Sequence, residues 1–348
     1  MKVVVTGASG SVGSALRRAV PDDWEVVGIA RRVPSGNPDW VACDLGADDA
    51  PTRLTPVFDG VDAVVHLAWG ISPSPDDPEQ RRTNLAGSAH VLRAALDAGV
   101  PHVVCASSVA AYTPAPRDLR VDEDWPRDGV PASAYSRQKA EFERMLDAVE
   151  PAVALARIRP CAVVNPDAGG ELDRWVRPPF VPPGLIGDRR LPVPLWKRLR
   201  AQVVHADDVA DALVRIVDRR ATGAFNLASE PVLDSRTLAK ALGGVLLPVP
   251  LPVLRALAWP TWRIGLQPMH PGWLALADRA SLVDTRRARD QLEWRPRHDA
   301  LNALVEFVKA VSRGQGTWGA LEPRRRAPWW STLGRGRPMR QSQAEETT

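Results

Sequence analysis

Residues 2–13 constrain this chain more than any other stretch. Lys2-Val3-Val4-Val5 is a short apolar run with strand character, and it ends abruptly at Thr6-Gly7-Ala8-Ser9-Gly10-Ser11-Val12-Gly13. Helical periodicity then sets in over Ser11–Val20. A strand, a turn of spacing Gly-x-x-Gly-x-x-Gly and a helix thus follow each other directly. In such a unit the first glycine permits the tight turn, and the second lets backbone come close to a phosphate. The third lets helix and strand pack closely. The unpaired N–H groups at the helix start attract phosphate oxygens. Gly7, Ser9, Gly10, Ser11, Val12 and Gly13 are therefore the expected cradle of a dinucleotide.

The same alternation continues through the first half. Glu25–Ile29, Ala63–Leu67, Val103–Ala106 and Val153–Ile158 read as further strands, Val-rich and without polar alternation. That composition suits strands covered on both faces. Glu79–Ala98 and Ser133–Val149 read as helices between them. Strands alternating with helices predict an α/β fold, a doubly wound parallel sheet of Rossmann type. After Pro160 the pattern changes. Residues 165–200 are rich in Pro and Gly. Gln202–Asp218 then resembles a strand entering a helix, and Gly223–Ala228 another strand. The expected organisation is a dinucleotide-binding domain over residues 1–164, with 201–228 returning to it. A smaller substrate lobe would be built from 165–200 and 229–318, followed by a disordered basic tail over 319–348.

The basic balance, pI about 9.2, raises nucleic acid as a partner, but the charge map argues against it. Six Arg and three Glu between Gly319 and Thr348 carry +3 of the chain's net +4. The remainder is close to neutral, so no nucleic acid is expected. No apolar run reaches the ~18 residues of a membrane span. Thr6-Gly7 interrupts the N-terminal apolar run too early for a secretory signal. Cys43, Cys105 and Cys161 lie far apart in apolar surroundings, neither a metal-ligand set nor a disulfide framework. Free thiols in the cytoplasm, and no metal, are the expectation.

Cofactor choice is read after the second strand, where an acidic residue would bind the ribose 2′-hydroxyl. Here Ala30-Arg31-Arg32 follows instead. Paired guanidinium groups suit a 2′-phosphate, so the expected cofactor is NAD(P), with a lean to NADP(H). Further on, Tyr135 and Lys139 stand four apart in a predicted helix and share a face. A phenol near pKa 10 serves acid/base chemistry at neutral pH only when its surroundings assist it. A neighbouring ammonium can do this and can also hold the nicotinamide ribose. Ser107-Ser108 closes the strand before them, placing a hydroxyl where it could orient a carbonyl.

Taken in order, these features resemble the extended short-chain dehydrogenase/reductase group, the NAD-dependent epimerases and dehydratases. The resemblance covers about residues 1–313. It includes Asp44-Leu45, His66-Leu67-Ala68, Asn84-Leu85-Ala86-Gly87-Ser88, Ser107-Ser108 with Tyr112, and Tyr135 to Lys139. It continues through Arg159-Pro160, His205-Ala206-Asp207-Asp208-Val209-Ala210 and Leu292-Glu293-Trp294-Arg295-Pro296. The resemblance implies Tyr135 as general acid/base, Lys139 lowering its pKa, Ser108 orienting the reacting oxygen and Asn84 supporting a proton relay. It further implies Asp44 and Leu45 beside the adenine, Leu67, Ala68 and Trp69 lining the cofactor, and Pro160 to Val163 near the nicotinamide. A homodimer through the helices around 79–98 and 133–149 is implied as well. One departure matters. The family's sugar-nucleotide dehydratases carry Asp-Glu directly after the active-site Ser/Thr, whereas Ser108 precedes Val109-Ala110. That dehydration is not expected.

The substrate is a small molecule whose identity the motifs leave open. Trp259, Trp262 and Trp273 among Leu, Val and Pro could wall an apolar pocket or fill the lobe's core. Arg174, Arg177, Arg189, Arg190, Arg198 and Arg200 could clasp a diphosphate or face solvent. Trp329-Trp330 in the tail could touch anionic lipid or a partner. Three functions compete: a carbonyl/alcohol oxidoreductase, a nucleotide-sugar epimerase working by transient oxidation, and a cofactor-sensing protein without catalysis. The first consumes reduced cofactor stoichiometrically and the second does not. The complete set Ser108, Tyr135 and Lys139 speaks against the third.

Overall fold

The computed structural model describes residues 1–33, 37–73, 75, 77–169, 192–267 and 269–316. The predicted tail, Arg174, Arg177, Arg189, Arg190 and Trp329-Trp330 lie outside the described residues.

Seven parallel strands form the central sheet: β1 (Lys2–Thr6), β2 (Glu25–Ala30), β3 (Trp40–Ala42), β4 (Ala63–His66), β5 (His102–Ala106), β6 (Ala154–Pro160) and β7 (Gly223–Leu227). Their spatial order is β7-β6-β5-β4-β1-β2-β3. The order reverses beside β1, with Val3–Thr6 paired to Ala63–His66 on one side and Lys2–Thr6 to Glu25–Ile29 on the other. Such a reversal opens a crevice at the carboxyl ends of the strands, where doubly wound sheets bind ligands. Both faces are covered, as the Val-rich strands predict. Val3 and Val5 enter one core cluster and Val4 the other, the alternation of a pleated strand. Helix α1 (Ser11–Ala19) packs on the first face. Helices α2 (Ala50–Phe58) and α4 (Gly87–Asp97) cover the second, joined by α5 (Ala134–Val149).

Two elements differ from the periodicity. Trp40–Ala42 is a strand of three residues, too short for an apolar pattern to declare itself. The single helix expected over Glu79–Ala98 is divided. A four-residue helix α3 (Pro78–Arg81) passes into a π turn at Arg82–Ala86 before α4 begins. Wider turns of this kind cluster at functional sites, and this one carries Asn84.

The chain returns to the sheet after the Pro-rich stretch. Val203–His205 pairs with Ala162–Val164, α6 (Ala206–Asp218) packs against α1, and β7 extends the sheet beside β6. The C-terminal region is separate. It contains α7 (Ser235–Ala241), α8 (Leu251–Arg263), α9 (Pro271–Arg279), α10 (Arg286–Leu292) and α11 (Ala300–Ser312). Its own core gathers Leu233, Ala303, Leu304, Phe307 and Val308. Cys43, Cys105 and Cys161 are free and buried.

Candidate active site

The glycine turn is built by close approach. Gly7 has φ +70°, and a Cβ there would stand 2.7 Å from the Ala68 backbone. A Cβ on Gly13 would stand 2.3 Å from the Gly7 carbonyl oxygen. No side chain can be carried at either position without moving the loop. Helix α1 opens at Gly10 with no side-chain cap and no acidic residue in its first turn. Its first N–H groups are therefore available to an anion. Nearby, the Trp69 indole N–H is buried without a hydrogen-bond partner. An open helix start, a loop only glycine can form and an orphaned donor together fit a dinucleotide.

Arg31 and Arg32 are exposed directly past β2, and neither forms an ion pair among the described residues. Asp44 is held elsewhere. It accepts from Arg82 at 3.0 Å and from the Gly46 N–H at 3.1 Å. Burial opposes its charge, but these donors outweigh that and hold the carboxyl below its usual range. Leu45 is 5% exposed and belongs to the core with Cys43 and Val91. Its side chain packs the sheet face rather than lining an open surface. Leu67, Ala68 and Trp69 follow β4 and are half-buried. Pro160 is buried and Val163 half-buried at the end of β6 and just beyond.

Ser108, Tyr135 and Lys139 converge. Ser133 caps α5 by accepting from the Ser136 N–H. The Ser136 hydroxyl donates to the Ala110 carbonyl at 2.5 Å and accepts from the Val130 N–H at 2.6 Å. These bonds fasten the start of α5 to the segment after Ser108. The Ser108 hydroxyl is buried, accepts from the Ala110 N–H at 3.1 Å, donates to the Pro160 carbonyl at 3.5 Å and stands beside Tyr135. Burial pushes the Tyr135 phenol above its usual value, and the Ser108 contact pulls the other way.

Lys139 is held by contacts of its own. Its ammonium donates to the Ala106 carbonyl at 2.9 Å and sits 3.4 Å from the centre of the Trp69 ring. Burial pulls Lys139 itself down to about 7, against the opposing pull of Glu143. The sign of the stability effect follows. Between about 7 and 10.5 the unfolded chain holds a proton that the folded chain does not, so stability rises with pH across that window. Below it, the desolvation cost of the ammonium is present in full. Lys139→Met is therefore expected to raise the melting temperature at about pH 6, by more than at about pH 10, while activity falls. Calorimetry at the two pH values checks this, and an equal or absent gain at both would refute it.

Asn84 is tied into the loop after β4. Its Nδ2 donates to the Gly70 carbonyl and to Gln138 Oε1, both at 2.9 Å, and its Oδ1 accepts from the Gly70 N–H at 2.6 Å. Both amide protons are used. Asn84 clamps the loop after β4 to α5. His66 is likewise internal, hydrogen-bonded to Thr6 at 2.7 Å and to Ser88 at 2.9 Å, and burial pulls it down to about 3.

Two features of the site escape motif reading. The first is Glu143, one turn beyond Lys139 on the same helix face and wholly buried. It takes a bidentate contact from Arg159, 2.7 and 2.9 Å, and a further bond from Arg157 at 3.0 Å. Arg159 also donates to the Tyr112 hydroxyl at 2.8 Å and the Glu123 carbonyl at 2.7 Å. A carboxylate among Ala140, Phe142 and Leu146 was the available signal. The second is Trp273, which lies tilted on Tyr135 with ring centres 5.3 Å apart. Its segment is tied to the loop after β4, with His270 N–H donating to Pro73 O at 3.0 Å. Trp273, His270, Gly272, Ser72, Pro75 and Gln80 border a narrow cleft over Tyr135, and among the described residues no Asp, Glu, Lys or Arg lines it. Arg198 and Arg200 border a different cavity together with Arg117 and Lys197. One metal-like grouping exists among the described residues, His205, Asp207 and His298, with ligating atoms within 4.8 Å of one another. Asp207 is already taken by Arg18 at 3.0 Å.

The profile of the NAD dependent epimerase/dehydratase family matches residues 3–228. An uncharacterized protein of Mycobacterium tuberculosis is 30% identical over 320 residues, which cover 89% of this chain. The chain spans only 30% of that relative's length. A UDP-glucose 4-epimerase of Mycolicibacterium smegmatis is 29% identical over 334 residues, 90% of this chain and all of the relative. Among solved structures, DesIV, a dTDP-glucose 4,6-dehydratase from Streptomyces venezuelae with NAD bound, superposes with a TM-score of 0.67 at 20% identity. That match covers 92% of this chain and all of DesIV. With a matching family profile, a reversed parallel sheet and an open glycine turn at its first strand, the chain belongs to the NAD-dependent epimerase/dehydratase family and has its NAD(P)-binding Rossmann-type fold.

Proposed function

We propose that the chain is an NAD(P)-dependent oxidoreductase acting on a carbonyl or alcohol without a charge at the reacting end, with Tyr135 as acid/base. The observation that carries this reading is Ser108 beside Tyr135, beneath a cleft that no Asp, Glu, Lys or Arg lines among the described residues. Gly7, Gly10, Ser11 and Gly13 would hold the pyrophosphate, Lys139 the nicotinamide ribose, and Arg31 and Arg32 a 2′-phosphate. When bound, the nicotinamide supplies or accepts the hydride. In reduction, Ser108 orients the carbonyl oxygen, and Tyr135 Oη gives its proton to that oxygen as the alcohol forms. Burial keeps the phenol protonated at neutral pH, the form that reduction needs. Trp273 restricts the space over Tyr135 and limits water there.

Epimerisation by transient oxidation is the second reading, supported by the Mycolicibacterium relative. The same groups would serve, with a nucleotide diphosphate held away from Tyr135. The homodimer rests on the family resemblance, and the cytoplasmic setting on the free thiols Cys43, Cys105 and Cys161.

The test follows absorbance at the reduced nicotinamide while purified protein meets neutral carbonyl compounds and nucleotide sugars. Stoichiometric loss of NADPH supports the oxidoreductase, and conversion of a nucleotide sugar without net cofactor loss supports the epimerase. Arg31→Ala with Arg32→Ala is expected to raise KM for NADPH by about tenfold or more, since each charge-assisted contact contributes ~1.5–3 kcal/mol. KM for NADH should barely change, and an equal effect on both cofactors would exclude the 2′-phosphate site.

A further inference from the structure

Helix α8 is anomalous in a folded lobe. Its sequence is Leu-Pro-Val-Leu-Arg-Ala-Leu-Ala-Trp-Pro-Thr-Trp-Arg, and none of its 13 residues is buried. Seven of the ten exposed large hydrophobic residues among the described residues fall between Val245 and Leu266. Val253, Leu257, Pro260 and Ile264 follow helical spacing along one stripe, while the exposed Trp259 points to another side of the helix. Leu257 is 55%, Trp259 56% and Ile264 68% exposed. Val245 and Leu247 extend this surface from the neighbouring strand Val245–Pro248. Contiguous apolar surface of this kind marks an interaction site.

The charges beside it identify the partner. From Ser235 to Ala277 there is not one Asp or Glu, while Arg236, Lys240, Arg255 and Arg263 are present. All four are exposed. A second copy meeting this face through a two-fold axis would set the same patch against itself, with Arg236, Lys240 and Arg263 facing like charge and Asp278 already taken by Arg255. An anionic bilayer supplies the missing charge. An exposed Val-Leu-Ile stripe with Arg263 a quarter-turn away suits a helix that lies in a membrane interface. No helix among the described residues is long and apolar enough to cross a membrane, so the contact is peripheral.

We infer that α8 and the adjoining Val245–Pro248 strand dock this protein on an anionic lipid surface. The apolar stripe enters the headgroup region, and Arg263, Arg236 and Lys240 face the lipid phosphates. Arg255 keeps its contact with Asp278 at 3.0 Å. Helix α9, which carries Trp273 onto Tyr135, packs directly against α8. The cleft thus stands one helix away from the lipid.

The test is co-sedimentation of the full chain with vesicles of phosphatidylcholine and phosphatidylglycerol in equal parts, and with phosphatidylcholine alone. Binding to the anionic vesicles is expected to exceed binding to the neutral ones and to weaken with salt. Leu257→Ser with Trp259→Ser should weaken it by about tenfold or more, since each 1.4 kcal/mol is a factor of ten. Arg263→Gln should weaken binding to anionic vesicles only. An unchanged melting temperature shows that the variants fold. Three results overturn the inference: no binding to anionic vesicles, binding that the Leu257/Trp259 variant retains, as a contact through residues 317–348 would give, or a change of oligomeric state by light scattering without vesicle binding.

Discussion

Tyr135→Phe leaves the dinucleotide bound and lowers kcat by about a thousandfold. In the proposed mechanism the phenol is the acid/base group beneath the cleft, and positioned acid/base groups contribute ~10²–10⁴-fold. The substitution removes one oxygen and keeps the ring, so the face stacked on Trp273 is preserved. Cofactor affinity, set by the glycine turn and Lys139, should change little. Titrating cofactor by fluorescence and measuring single-turnover rates separates the two effects. Turnover within about tenfold of the unsubstituted protein would remove Tyr135 from the chemistry. A parallel loss of cofactor affinity would instead mean that the phenol holds the site's shape. Ser108→Ala, which removes the hydroxyl beside the phenol, serves as the companion. It should reduce kcat less and push the Tyr135 pKa further up.

The largest effect on stability is expected at Glu143. Glu143→Gln lowers the melting temperature by about 10 °C, because a buried ion pair broken on one side costs ~3–5 kcal/mol. Two guanidinium groups, Arg157 and Arg159, would lose the carboxylate they share, and both are nearly inaccessible to water. The pH dependence has a definite sign. Burial opposes the charge on Glu143, but Arg159 above all holds its pKa down to about 2, below the usual 4.5. A depressed carboxylate stabilises fully above its unfolded value and loses that contribution as pH falls through its folded one. The stabilisation, about 3 kcal/mol by this linkage, should therefore be intact above about pH 5 and fade towards pH 2. Glu143→Gln should flatten the acid limb of the stability curve. A variant as acid-sensitive as the parent would show that other carboxylates set that limb.

The network also explains why Tyr135 and Lys139 stand where they do. Arg159 joins α5 to β6 and, through Tyr112 and Asn226, to β7, with Tyr112 donating to Asn226 at 2.7 Å. The helix that carries the reacting groups is fixed to the sheet by charge as well as by Phe142 and Leu146.

Much of the site could be read directly because its chemistry is local. Gly7, Gly10 and Gly13 sit in one turn, and Tyr135 and Lys139 share one helix face by spacing alone. Neither needs a distant partner to be recognised. Asn84 shows the opposite case. Its bonds to Gly70 and Gln138, which lie 14 and 54 positions away, are made only in the fold. Lys139 is similar, since the ring that holds its ammonium belongs to Trp69 on another element. Leu45 packs into the core, where Gly87 leaves room for it. The Leu–Trp stretch divides by burial. Trp273 reaches Tyr135, while Trp259 faces outward, a difference that composition cannot register.

The amino-acid sequence by itself determined the parallel α/β sheet, the dinucleotide turn and the pairing of Tyr135 with Lys139. Each depends on periodicity, backbone freedom or spacing within a few residues. Only the tertiary structure decided what surrounds these groups: the carboxylate beneath the active-site helix, the indole under Lys139 and the tryptophan over Tyr135. It likewise decided that α8 shows its apolar face to solvent. Burial and charge pairing are properties of residues far apart in the chain, and folding brings them together at the crevice where the strand order reverses.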